Sequence, residues 1–138
     1  VTLLCPNEHY VLDARYMGWA QQNAEAMGTT MQVSHDIQSA YTNADVVYAK
    51  SWGALPYFGN WTEETPMRDS NQHFIVDETK MALTNNAVFS HCLPLRRNIK
   101  ATDAVMDSAH CIAIQEAENR IHVQKAIMDC LINHPEIN

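Results

Sequence analysis

The chain has 138 residues, 46% of them hydrophobic, and a formal net charge of −7. That length and apolar content fit one domain with its own core. The acidic balance argues against a nucleic-acid surface, which usually carries a basic excess, and no apolar run is long enough for a membrane span.

The sequence begins at Val1, already inside an apolar run and without an initiator Met, and shows no secretory signal. That start points to a fragment, a processed product or a truncated reading frame; cysteines expected to be free thiols point to a reducing cytoplasm. The run 1–5 is closed by Pro6-Asn7 and reads as a buried strand. Asp13 is placed to cap a helix in which Ala14, Met17, Ala20, Ala24 and Met27 recur at helical spacing. Gly28 ends it where a left-handed backbone is needed. Residues 31–34 form a second strand candidate, and Asp36 starts a short helix reaching about Thr42.

Residues 45–49 form a third strand, rich in β-formers. It runs into a loop, 50–61, that carries Trp52, Tyr57, Phe58 and Trp61. Solvated linkers rarely hold so many aromatics, so this loop either packs on the domain edge or faces a ligand. Residues 62–71 read as polar and turn-rich. Residues 74–76 lead to Asp77, a cap for a helix ending near 85–86. A fourth strand, 87–90, stops at Pro94 after His91, Cys92 and Leu93, because proline has no amide donor. Thr102 or Asp103 caps another short helix, 111–114 is the fifth strand, and a helix runs from Glu116 to about Ile132. Ile121, Ala126, Ile127, Cys130 and Leu131 supply much of its apolar face.

Short apolar strands alternating with amphipathic helices predict an α/β fold with three layers, a parallel sheet carrying helices on both faces, Rossmann-like. Right-handed crossovers then bring all strand ends to one side. Three polar clusters follow strands: Lys50 to Gly53, His91 to Arg97, and Gln115 to Arg120. In a parallel sheet they converge on one rim, outside the carboxyl ends of the strands, where ligands bind. The local chemistry is that of a site for a small anion.

Arg96 and Arg97 suit a carboxylate or phosphate, since guanidinium makes paired, directional bonds to both; the plain alternative is a solvated loop with surface ion pairs. Lys50 is either a strand-end surface amine or part of the same clamp. Arg120 lies early in a helix, where the macrodipole favours anions, so a bound anion, Glu116 or Glu118 is expected to compensate it. Cys92 is a nucleophile only if neighbouring cations lower its pKa, and is otherwise a buried thiol. His91 hydrogen-bonds a carbonyl or a leaving group, or is a satisfied core imidazole. The four cysteines, Cys5, Cys92, Cys111 and Cys130, lack zinc-finger spacing and are expected to be free thiols, with no metal site.

The stretch from His91 to Met106 resembles the carbamoyltransferases, as do residues 45–56 and 116–120. His91-Cys92-Leu93-Pro94 is similar to the ornithine-type signature, and the longer stretches resemble the N-acetylornithine carbamoyltransferase branch. Where ornithine-specific members have a Ser-Met-Gly loop, this chain has Ser51-Trp52-Gly53 after Lys50. That departure implies an N-acylated substrate, because a free α-ammonium beside Lys50 would be repelled. The resemblance covers nearly the whole chain and implies the amino-acid-binding domain of such an enzyme, residues 1–138, without the carbamoyl-phosphate domain and without the family's first strand–helix unit.

The implied reaction is carbamoyl transfer from carbamoyl phosphate to the δ-amine of N-acetyl-L-ornithine, in arginine biosynthesis, with no metal or organic cofactor. His91, Cys92 and Leu93 are implied at the point of reaction. Lys50, Trp52, Arg96 and Arg120 are implied on the substrate's carboxylate and acyl end, and Lys100 as a lysine that can be carboxylated. Active sites of the family form between subunits of a trimer, so a homo-oligomer is expected, and the isolated chain is expected to be inactive. Competing readings are an ornithine or N-succinylornithine carbamoyltransferase domain, and a non-catalytic ligand-binding or assembly module. The last helix is expected to expose its apolar face or use it in self-association.

Overall fold

A computed structural model describes residues 1–50 and 53–133. Four of the five predicted strands form, parallel and alternating with helices. β1 (Thr2–Leu4) leads through a single 3-10 turn, Glu8–Tyr10, to α1 (Ala14–Ala26). β2 (Gln32–Ser34), α2 (Ile37–Tyr41) and β3 (Val46–Tyr48) follow. α3 (Trp61–Ser70), α4 (Glu78–Met81), β4 (Val88–Ser90), α5 (Asp103–Met106) and α6 (Ala113–Asn133) complete the order. None of the described helices is long and apolar enough to cross a membrane.

Local chemistry sets the helix ends. Asp13 accepts from the Arg15 amide at 2.9 Å, Asp36 from that of Ser39 at 2.6 Å, and Asp77 from that of Lys80 at 2.8 Å. Each satisfies an amide that has no intrahelical acceptor. Gly28 follows α1 at φ 63°, with the Thr29 amide reaching back to the Ala24 carbonyl at 2.8 Å. That is the left-handed stop expected there. Thr102, not Asp103, caps α5, accepting from the Val105 amide at 3.3 Å.

β1 pairs with β2, and β3 with β4, both in parallel. The core gathers over β4, where Phe89 is fully buried among Tyr41, Ala49, Val76, Ala101 and Val105. A second, smaller cluster joins Cys5, Tyr10 and Ala54, with Tyr57 packed against it.

Three local expectations fail. Residues 62–71, read as polar and turn-rich, fall almost entirely within helix α3 (Trp61–Ser70) despite Pro66. The carboxylates of Glu63 and Glu64 favour its first turn. The helix after Asp77 is one turn long and stops at Met81. The fifth strand shrinks to a single bridge, Cys111 to Phe89, because α6 starts at Ala113 rather than Glu116. The four apolar residues 111–114 fit a buried strand or a helix start equally well, and only packing decides.

The aromatic loop is also divided. Tyr57 is half-buried in the second cluster, whereas Phe58 and Trp61 are 88% and 67% exposed. Trp52 lies outside the described residues. α6 is open along most of its length: Ile114, Ile121, Val123, Ile127, Met128, Leu131 and Ile132 all stand more than half exposed.

Candidate functional site

β4 delivers its last residue, Ser90, and then His91 into buried positions before the chain turns outward. The turn is made at Leu93, whose φ is 46°, followed by a cis bond to Pro94. A leucine in the left-handed region costs on the order of 1 kcal/mol or more. The imidazole of His91 braces it: Nδ1 accepts from the Leu93 amide at 2.9 Å. Nδ1 is therefore the unprotonated nitrogen of a neutral ring. Burial, then the Lys50 and Lys100 charges, hold His91 below the ordinary histidine value, against the pull of Glu116. His91 is thus a buried imidazole that shapes the loop.

Cys92 stands where the three strand-end clusters meet. Lys50 Nζ, beyond β3, lies 3.5 Å from Cys92 Sγ, and Arg120 Nη1, from α6, lies 3.5 Å from the Cys92 carbonyl. The convergence drawn from the parallel pattern is thus present. The Tyr48 hydroxyl beside it, and after it the Lys50 ammonium, lower the Cys92 pKa, while burial and Glu116 oppose. The Tyr48 hydroxyl is pushed up to about 12, first by its bond to Cys92, then by burial and Glu116.

An electrostatic consequence is readable in solution. Cys92 should be alkylated by iodoacetamide faster at pH 7 than an ordinary thiol, because the thiolate is the nucleophile. Cys5, held above its usual value by burial and by Glu8, should resist. Tyr48→Phe should slow Cys92 by roughly threefold to tenfold at that pH. Rates read peptide by peptide in a mass spectrometer check this, and equal rates in both proteins would remove Tyr48 from the account.

Glu116 is turned to the strand ends. It accepts from the Ser90 hydroxyl in a short hydrogen bond and from the Tyr48 hydroxyl at 3.1 Å. One carboxylate in the first turn of α6 thus ties the ends of β3 and β4 together. Sequence reasoning offered it only as an Arg120 partner. Its real partners lie 68 and 26 positions away, and spacing along a helix carries no trace of them.

The arginine pair separates into two functions. Arg97 is committed to Asp107, at 2.6 Å and 3.0 Å, and to Asp103 at 2.9 Å. It pins the post-proline segment to α5, while the Asn98 side chain bonds Asp103 at 2.7 Å. Arg96 is exposed and its charge bears on Lys100. The clamp expected of two guanidiniums therefore reduces to Arg96 alone.

Lys100 returns to the interior and is 7% exposed. Burial first, then the positive charges of Arg96 and Arg68, lower its pKa from 10.5 to about 8, while Glu64 pulls the other way. Glu64 is itself only 7% exposed. A Cβ added to Gly53 would sit 3.5 Å from its Oε1, so α3 brings a carboxylate against the loop beyond Lys50. Sequence reasoning missed Glu64 together with its helix. Among the described residues, no three His, Cys, Asp or Glu side chains group as metal ligands.

The family model for the Asp/Orn binding domain of aspartate/ornithine carbamoyltransferases matches residues 1–131. The chain is 74% identical over 132 residues to the N-acetylornithine carbamoyltransferase of Xanthomonas campestris pv. campestris, covering 96% of this chain. It spans 39% of that relative's length. Among solved structures, an acetylornithine transcarbamylase complexed with acetylcitrulline aligns with a TM-score of 0.91 at 75% identity, over 95% of this chain and 39% of that one. A mutant N-acetyl-L-ornithine transcarbamylase complexed with carbamyl phosphate and N-succinyl-L-norvaline aligns with a TM-score of 0.91 at 74% identity, over 96% and 40%.

Proposed function

Because its residues 1–131 are an Asp/Orn binding domain, the chain belongs to the aspartate/ornithine carbamoyltransferase family, and we propose that it is the amino-acid half of an N-acetylornithine carbamoyltransferase. The reaction joins the δ-amine of N-acetyl-L-ornithine to the carbonyl carbon of carbamoyl phosphate. A C–N bond forms, the C–O bond to phosphate breaks, phosphate leaves with the bonding electrons, and the amine gives up a proton. The observation that carries this reading is the meeting of Lys50 and Arg120 at Cys92. It places two cations and the carbonyls of a tightly turned loop around one point.

In this reading the Cys92 and Leu93 carbonyls accept from the reacting amine and hold it in line, which is catalysis by positioning. His91 keeps those carbonyls in place through its bond to the Leu93 amide. Lys50 and Arg96 hold the carboxylate. Arg120, beside the Cys92 carbonyl, joins them on the substrate's carboxylate and acyl end. The phosphate end is held mainly by another part of a longer polypeptide, and shared sites make the working enzyme a homo-oligomer.

Titration calorimetry of this chain with N-acetyl-L-ornithine, N-succinyl-L-ornithine and free L-ornithine tests the substrate. Binding is expected for the acetylated ligand. Free ornithine should be weakest, because its ammonium meets Lys50. Preference for free ornithine would overturn the acylated reading, and preference for the succinyl compound would move it to the larger acyl group.

Lys100 is proposed to carry a carbamate. Carbon dioxide adds to a neutral amine, forming an N–C bond and releasing a proton. A pKa of about 8 leaves roughly a tenth of the amines neutral at pH 7. Burial keeps water away, and Arg96 and Arg68 favour the anion that results. Carbon-13 NMR in labelled bicarbonate should show one lysine carbamate signal, growing from pH 7 to 8.5 and lost in Lys100→Gln. A spectrum without it in the parent chain would exclude the modification.

A further inference from the structure

We infer that Lys50 and Cys92 are a reversible modification site, at which a peroxide oxidises the Cys92 thiolate to a sulfenic acid and the Lys50 amine condenses with it to a sulfenamide cross-link. The fold builds the pair. β3 and β4 run in register, Val46 opposite Val88, Val47 opposite Phe89 and Tyr48 opposite Ser90. Carried two residues further, that register sets Lys50 opposite Cys92. The Ala49 amide, donating to the Ser90 carbonyl at 3.1 Å, holds the strand ends together up to that point. Neighbouring strands lie about 4.8 Å apart, and residues two apart on a strand share a face. The result is a Lys50 Nζ that stands 3.5 Å from Cys92 Sγ.

The surroundings favour each step. Lys50 is exposed and Cys92 half-buried, so a small peroxide reaches the sulfur. The Tyr48 hydroxyl and the Lys50 ammonium hold the thiol below its ordinary pKa, which raises the share of the attacking thiolate. A sulfenic acid usually condenses with a second thiol or with a backbone nitrogen. Neither is at hand here. Cys5 packs in the smaller core cluster, Cys111 against the larger one, and Cys130 sits in the last turn of α6. The Leu93 amide, the next backbone nitrogen, already donates to His91 Nδ1 at 2.9 Å. The Lys50 amine, on a flexible four-carbon stem, is the nitrogen that meets the sulfur.

In the first step the thiolate takes one oxygen from the peroxide. An S–O bond forms, the O–O bond breaks, sulfur is oxidised by two electrons, and the other oxygen leaves as hydroxide. In the second, Lys50 gives one proton to solvent and its nitrogen displaces the sulfenic hydroxyl, which departs as water with a further amine proton. An S–N bond replaces the S–O bond, and no electrons are exchanged. Thiols reverse the link: one takes the sulfur as a mixed disulfide and frees the amine, and a second reduces that disulfide. While closed, the link removes the Lys50 charge and the Cys92 thiol from the rim together. The chemistry is independent of the substrate; only its effect, loss of the cation that holds the carboxylate, rests on the function proposed above.

The test uses the 138-residue chain without substrate, which keeps its outcome apart from the calorimetry above. The dilute chain is treated with hydrogen peroxide at mildly alkaline pH, its remaining thiols are alkylated, and it is digested with chymotrypsin. Mass spectrometry should find the peptides of Lys50 and Cys92 joined, two hydrogens lighter than their sum, and dithiothreitol should separate them. Lys50→Arg keeps a cation beside the thiol but offers no nucleophilic amine. In that variant the link should be absent, and dimedone should trap the Cys92 sulfenic acid at least about fivefold more than in the parent. The inference is overturned if no joined pair appears, if the pair retains a peroxide oxygen, or if dimedone traps both proteins equally. Loss of two hydrogens within the Cys92 peptide alone, as closure on the Leu93 amide, also overturns it, as does a disulfide from Cys92 to another cysteine.

Discussion

Phe89→Ala is expected to destabilise the chain by about 3–5 kcal/mol, the usual cost of removing a buried aromatic ring and leaving a cavity. Phe89 has no exposed surface and stands at the centre of the larger core cluster. Its backbone also links two elements, since its amide donates to the His110 carbonyl at 2.9 Å and its carbonyl accepts from Ile112 at 2.9 Å. The ring thus fixes both the strand that ends in Ser90-His91-Cys92 and the entry to α6. Urea unfolding followed by circular dichroism measures the loss. Phe89→Leu, which keeps most of the volume, should recover more than half of it. Loss of ligand binding should track loss of stability across the two variants, since Phe89 acts on the site only through packing.

Lys100→Met is expected to do the reverse, stabilising the chain at pH 7 by as much as about 3 kcal/mol. The sign follows from linkage. The folded chain holds Lys100 at about 8, below its ordinary 10.5. Below pH 8 both states carry the proton, and the cost of a buried cation is present in full. Between 8 and 10.5 the unfolded chain keeps a proton that the folded chain has released, so stability rises with pH. Each tenfold weakening of proton binding on folding is worth about 1.4 kcal/mol, which sets the size. Tyr41, pushed up to about 12 by burial and then by Asp77, acts oppositely above pH 10. The measurement is therefore urea unfolding from pH 7 to 10 in carbonate-free buffer. The parent should gain stability over that range, and Lys100→Met should be flatter and start higher. Equal slopes would show that Lys100 is not buried as a cation.

We propose that a residue kept at this cost serves function rather than the core. Stability alone would place an apolar side chain at position 100. An amine held dry beside Arg96 and Arg68 is useful where a lysine must be reactive, or must change the sign of its charge. The same reasoning applies to Glu64 and Glu116, carboxylates drawn inward to meet hydroxyls and lysines. The strands and caps around them follow ordinary rules, so departures from those rules gather at the rim of the sheet.

Much of the fold was legible in the residues themselves. Asp13, Asp36, Asp77 and Thr102 announce helix starts, and Gly28 a stop, because capping is settled within three or four positions of the chain. Alternation of apolar strands with helices was enough to predict parallel pairing, and parallel pairing enough to bring Lys50, Cys92 and Arg120 to one rim. The strand at 111–114, the short α4 and the helix at 61–70 were misread, because brief segments carry too little periodicity to outweigh their surroundings.

The sequence by itself therefore determined the class of fold and the meeting of Lys50 and Arg120 with Cys92 beyond the ends of β3 and β4. Only the tertiary structure decided which of two adjacent arginines is spent on Asp103 and Asp107, which glutamates turn inward, and that Lys100 is buried. It alone paired the four described strands as β1 with β2 and β3 with β4. The reason is one of range. Caps and periodicity are local and can be read from a few neighbours, whereas a buried charge is defined by partners tens of residues away, and those distances exist only once the chain has folded.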